Sequence, residues 1–145
     1  MYPSDFLTAS KKFVHVYEAF CAPVCKKYHL NQSDLDLLLF VANNPAHNTA
    51  KDICGIRGIK KGIVSVTTER LVQKGLVTRG MDESDRRIQR LFLTEKCSPV
   101  IAAGREMQEK FFSSVTSGLT AEELRMYQMV SEKIRQKIIS MEKEL

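Results

Sequence analysis

The chain of 145 residues is long enough for one domain with a substantial core, and its 43% hydrophobic and 27% charged residues exclude both a disordered and a membrane class. Its longest apolar stretch, Leu35 to Ala42, is interrupted by Asp36 and falls far short of the roughly 20 residues needed to cross a bilayer. The formal net charge of +5 is confined to one segment: nine basic and four acidic residues stand between Ile56 and Arg90, and the rest of the chain is balanced, 13 against 13.

A localised basic excess suits a polyanion partner such as nucleic acid, and a solvated face gives the same count. The N-terminal stretch MYPSDFLTASKK has no basic start followed by an apolar run and a small-residue cleavage site, so a cytoplasmic location is expected. Cys21, Cys25, Cys54 and Cys97, too sparse for a secreted disulfide framework, are expected as reduced thiols.

From about Asp5 to Tyr28, the residues Phe6, Phe13, Tyr17, Phe20, Val24 and Tyr28 recur mostly three, four or seven apart, which predicts one face of an amphipathic helix. Pro23 lacks an amide donor and clashes with the preceding turn, so a kink or a break near Ala22 is expected, leaving the helix in two pieces. Asn31 suits the cap of a second helix whose dense run from Leu35 to Val41 predicts burial nearly all round, and Asn43, Asn44 and Pro45 end it. Thr49 and Asp52 have the spacing of a capping box opening a short third helix through Cys54, after which Gly55 and Gly58 mark a turn.

A fourth helix is predicted from about Lys60 to Lys74, closed by Gly75, with Ile63, Val64, Thr67 or Thr68 and Leu71 facing inward. The two β-rich runs Leu76 to Arg79 and Ile88 to Leu93, around the polar stretch MDESDRR, read as a hairpin. Ser98 and Pro99 suit the start of a fifth helix to about Ser117, stopped by Gly118. The box Thr120 to Glu123 opens a last helix with Leu124, Tyr127, Val130, Ile134, Ile138 and Met141 on one stripe. Such a stripe wants a partner helix, and dimerisation is the reading that also gives a DNA reader its two-fold symmetry.

The expected architecture is therefore mainly α with a small β component (α+β). It is a winged helix-turn-helix at about 31–97, with N- and C-terminal dimerisation helices at about 5–28 and 99–145, in a single domain spanning 1–145.

The stretch from Asp52 to Thr94, with ERLVQKGLVTR, then DESDRR, then LFLTEK closing at Lys96, resembles the MarR family of winged-helix regulators, and the flanking helices fit that architecture over nearly the whole chain. The resemblance implies a sequence-specific DNA-binding transcriptional regulator. It would be a homodimer with interlocked terminal helices, two winged lobes on a pseudo-palindromic site in double-stranded DNA, repression of nearby genes, and release by a small-molecule effector.

By position, the helix from Lys60 to Lys74 corresponds to the recognition helix, offering Lys60, Lys61, Gly62 and Ser65, with Val66 able to meet a thymine methyl. Val66 and Thr67 depart from the family pattern, which more often has a polar or basic residue followed by a larger apolar one. In the wing, Asp85 and Arg87 match an acidic-x-arginine motif with Arg86 between them, implying an arginine in the minor groove oriented by the aspartate. Cys97 stands where glycine is frequent, implying a shifted start to the fifth helix. An effector pocket between the terminal helices and the winged lobe would have Tyr17 and Phe20 among its walls.

Cys21, Cys25 and His29 lie four apart, the spacing of a slanting row on an unbroken helix, so a metal-responsive or thiol-redox regulator is an alternative reading, as is a helical protein-interaction module that does not bind DNA. No nucleophile–base pair, phosphate loop or metalloprotease helix is present, and His15, His29 and His47 have no motif around them, so no enzyme, cofactor or resident metal is expected.

Overall fold

The computed structural model describes residues 2–145. Six helices, α1 (Pro3–Tyr28), α2 (Gln32–Asn43), α3 (Ala50–Asp52), α4 (Lys61–Gln73), α5 (Ser98–Val115) and α6 (Ala121–Glu142), accompany strands β1 (Val77–Met81) and β2 (Gln89–Leu93). The fold is mainly α with one two-stranded antiparallel sheet, in the winged-helix order expected. No helix among the described residues is long and apolar enough to cross a membrane. The chain divides into two compact units, one ending at Glu109 and the other Lys110–Leu145.

The first unit is organised around α2. The Asn31 side chain accepts from the Asp34 amide (2.9 Å) and the Asp34 carboxylate accepts from the Asn31 amide (3.0 Å), a reciprocal cap that starts the helix. Leu35, Leu37, Leu38, Leu39, Phe40 and Val41 are all buried, so α2 is apolar all round along this stretch because it is enclosed all round. Gly104 of α5 lies against it so closely that a Cβ there would stand 2.6 Å from Leu39.

The Asp34 side chain is only 1% exposed, and a carboxylate so placed needs partners. Arg70 of α4 supplies them, its Nε donating to Oδ1 at 2.8 Å while its Nη2 reaches Ser33 and Thr67. Lys74 Nζ stands 3.9 Å from the other oxygen and donates to the His29 carbonyl at 2.6 Å. One buried acid therefore caps α2 and anchors α4.

α1 runs unbroken through Pro23, contrary to the break expected at Ala22. Cys21 and Val24 on either side are buried, while Pro23 and Ala19, whose carbonyl the proline leaves without an amide, both lie on the exposed face where water can serve that carbonyl. Packing of the inner face outweighs one lost bond. His29 ends α1 in the left-handed region (φ 53), which histidine enters more readily than most residues.

α3 continues as a π turn, Ile53–Arg57, closed by Gly58 at φ 74, and α4 ends at Gly75 with φ 72; both glycines occupy the conformation that L side chains avoid. Within α4, Val64, Thr67, Thr68 and Leu71 are buried as expected, but Ile63 is 46% exposed. Ile63 falls one residue before Val64, so the helix turn carries it to the edge of the stripe. A 3₁₀ turn, Glu95–Cys97, precedes α5, which opens at Ser98, and Cys97 is buried with its thiol donating to the Leu76 carbonyl at 3.0 Å.

In the second unit, α6 opens on the expected box, with the Thr120 amide donating to Glu123 (2.8 Å) and the Glu123 amide to Thr120 (3.2 Å). Tyr127, Val130, Ile134, Ile138 and Met141 are each about half exposed.

Replacing Asp34 with alanine removes both the cap and the anchor and leaves Arg70, one-third exposed, without its carboxylate. Urea denaturation is expected to show a loss of about 3 kcal/mol with an unchanged slope, and Asp34→Asn, which keeps a capping acceptor, a smaller loss.

Candidate nucleic-acid interface

Two elements of the first unit carry the sequence-predicted site residues. α4 is preceded by Lys60, which has an extended backbone and makes no side-chain cap, so the amides of the first turn are left open at the positive end of the helix dipole. Lys60, Lys61, Gly62, Ser65 and Val66 all lie on the exposed side. Neither lysine has an ion-pair partner among the described residues. A Cβ built on Gly62 meets nothing within 4 Å, so nothing inside the chain requires glycine there.

The second element is the wing. β1 and β2 pair antiparallel from Val77↔Leu93 to Met81↔Gln89, leaving residues 82–88 as the loop between them. Asp82 organises it, accepting from the Ser84 amide (3.1 Å) and hydroxyl (2.7 Å), the Asp85 amide (3.0 Å) and Arg90 Nε. These hydrogen bonds, the Ser84 hydroxyl first and Arg90 next, hold the Asp82 carboxyl far below the usual carboxylate range.

Asp85 then receives Arg87 in a fork, Nε to Oδ1 and Nη2 to Oδ2 at 3.0 Å each, with the Arg87 amide on Oδ1 as well. The same contacts lower the Asp85 carboxyl and raise Arg87. The Arg87 side chain is nevertheless 90% exposed, a cation fixed in direction but open to an incoming anion. Arg86 beside it is exposed and unpaired among the described residues.

The wing is tied back to the helices through residues that the sequence did not single out. Asn48, 4% exposed, donates from Nδ2 to the Leu91 carbonyl and accepts Arg90 Nη1, both at 2.8 Å, and its backbone carbonyl accepts from the Leu91 amide. Thr49 extends this as a bridge to Arg90. On the other edge, Arg79 of β1 donates to Glu69 of α4 at 2.7 Å. Asn48, Glu69, Arg79 and Arg90 are polar residues whose partners lie far along the chain, and no local pattern marks them.

Tyr17 and Phe20, the expected effector residues, are both partly buried on α1. Both pack against the core, and Tyr17 also lines a cleft of about 150 Å³ with Asp36, Asn43, Arg57 and Gln108, its hydroxyl accepting from Gln108 at 3.1 Å. Burial raises the Tyr17 hydroxyl, and it raises the Cys21 and Cys25 thiols too. That is the wrong direction for a reactive thiolate. Cys21, Cys25 and His29 do not converge: among the described residues no group of three such side chains is placed to hold a metal.

A helix-turn-helix running into a two-stranded wing defines a winged helix-turn-helix protein. Residues 30–88, from the start of α2 to the end of the wing loop, match the model of the MarR family, and the resemblance read from the wing motifs holds. Solved structures agree on the fold over nearly the full length. A MarR protein from Peptoclostridium difficile is 17% identical with a TM-score of 0.82, covering 97% of this chain and 91% of that one. A Listeria monocytogenes protein described as a MarR family transcriptional regulator, complexed with a 26-mer DNA, is 17% identical with a TM-score of 0.83, at 92% and 89% coverage. The S. aureus MepR–DNA complex is 16% identical with a TM-score of 0.74, at 95% and 96%.

Asn48→Ala leaves the Leu91 carbonyl and Arg90 short of a partner and is expected to destabilise the chain by about 2 kcal/mol in urea denaturation. The Asp82 carboxyl is lower folded than unfolded, so the stability it lends is fully present above about pH 4 and is lost only as pH falls through the much lower folded value. Hydrogen-exchange protection of the Ser84 and Asp85 amides should accordingly persist when pH is lowered from about 7 to about 4, and Asp82→Asn should weaken it throughout that range.

Proposed function

We propose that the chain is a sequence-specific DNA-binding transcriptional regulator, a cytoplasmic homodimeric repressor that docks α4 in the major groove and the wing in the minor groove of a pseudo-palindromic site. The observation that carries this reading is that the unpaired cations Lys60, Lys61 and Arg86 and the exposed, carboxylate-oriented Arg87 all sit on the two elements of a winged helix that face solvent. The open space at Gly62 supports close approach of a phosphate or base edge. The DNA-bound relatives from Listeria monocytogenes and S. aureus support the same mode.

Homodimerisation is supported by the apolar residues left half exposed along α6 and by Phe6, Leu7, Phe13 and Val14 on α1. An effector site is proposed at the Tyr17 cleft, whose volume suits only a small ligand. Regulation rather than turnover is the reading throughout, since the polar groups gathered on α4 and the wing are cations and their positioning carboxylates.

The test is selection from a randomised duplex pool by the full chain, followed by fluorescence anisotropy on the enriched sequence. Specific binding is expected with Kd on the order of 10⁻⁸ M or tighter, weakening as salt rises. Arg87→Ala should weaken it roughly tenfold without changing stability. Gly62→Ala should hold or slightly raise stability, alanine being the better helix former, and still lose affinity because its methyl fills the open space. Failure to enrich any sequence, or variants that bind as the wild type does, would remove the reading.

A further inference from the structure

Two of the side chains that α4 turns outward near its start are large and apolar. Val66 is 62% exposed and Ile63 46% exposed. They stand three residues apart and are therefore neighbours on one helix face. Folding does not require them to be apolar, because Val64, Thr67 and Leu71 already fill the inner side. Nor does helix formation, since β-branched residues are below-average helix formers. Single exposed apolar residues are ordinary on protein surfaces, but these two form a pair beside Lys60, Lys61 and Ser65.

The chemistry around the pair restricts what covers it. Unpaired lysines call for a polyanion, and in the major groove of duplex DNA the one apolar group on a base edge is the 5-methyl of thymine. Apart from Lys60 and Lys61, which stand where α4 begins, the polar side chains that read other bases with two hydrogen bonds are absent from this face or engaged. α4 has no asparagine, its Gln73 amide donates to Glu69, Glu69 is held by Arg79, and Arg70 is committed to Asp34.

We infer that Val66 and Ile63 read thymine methyl groups, so that each half-site is selected for thymines on its major-groove edge. This rests on the DNA-binding reading above and specifies what that surface recognises.

Deoxyuridine keeps every hydrogen-bonding group of thymidine and lacks only the methyl, which makes it the probe. The full chain is titrated by anisotropy against the selected duplex, the same duplex with deoxyuridine in the half-sites, and one with deoxyuridine in the flanks only. Half-site replacement is expected to weaken binding about fourfold per contacted methyl, and more than about tenfold for a symmetric pair, with no change from the flanks. Val66→Ala and Ile63→Ala, made at exposed positions, should melt like wild type and bring the thymine-to-uracil ratio toward one. The inference is overturned, with DNA binding intact, if the half-site uracil duplex binds within about twofold of the thymine duplex. It is also overturned if the selected half-sites lack thymine or if the ratio survives in the double variant. If no duplex is selected at all, it falls together with the reading it rests on.

Discussion

The buried carboxylate of Asp34 is the constraint from which the DNA-facing half of the chain is built. An ionised acid sealed in a core is tolerated only when its oxygens are filled by donors, and here the donors come from two places: the backbone at the start of α2 and the guanidinium of Arg70 on α4. The first starts the central apolar helix, and the second sets α4 against it. Hydrophobic packing by Val64 and Leu71 would hold α4 to the core, but packing alone tolerates sliding and rotation. An ion pair with directional hydrogen bonds penalises both. The outward direction of Lys61, Ser65 and Val66 is thus a consequence of what Arg70 does on the inward side.

The wing repeats this logic at the surface. Asp82 gathers a loop whose one apolar residue is Ile88, Asp85 orients Arg87, and Arg90 joins Asp82 to the buried Asn48. Carboxylates thus hold both recognition elements in place while the cations around them remain open to solvent. The interface can be strongly basic in effect and still fold, because Asp82, Asp85 and Glu69 are spent on positioning arginines while Lys60, Lys61 and Arg86 stay unpaired and Arg87 stays exposed.

Much of this was legible in the sequence, and the reasons for what was not are specific. The capping boxes at Asn31, Thr49 and Thr120 and the apolar run of α2 are local patterns, and each element starts where its cap predicts. The hairpin was legible because DESDRR separates two β-rich runs. Pro23 misled as a helix break because its local penalty was weighed without the buried neighbours Cys21 and Val24 that keep α1 continuous through it. Ile63 misled because a stripe drawn by spacing is wider than the strip that packing covers. The links Asp34–Arg70, Asn48–Arg90 and Glu69–Arg79 join residues 36, 42 and 10 positions apart, and no periodicity encodes them.

The π turn at Ile53–Arg57 bears on how this chain is compared with others. A π turn is an α-helical turn that has accommodated one extra residue. The extra residue is absorbed before Gly58, so α4 arrives at its place in space one position later in the count than it would after an ordinary helical turn. Against a chain with an ordinary helical turn at that place, a correspondence drawn by letter alone would run one residue out of register. Correspondence should instead be anchored on the buried Val64 and Leu71, which record where the helix sits, and the groove-facing positions counted outward from them.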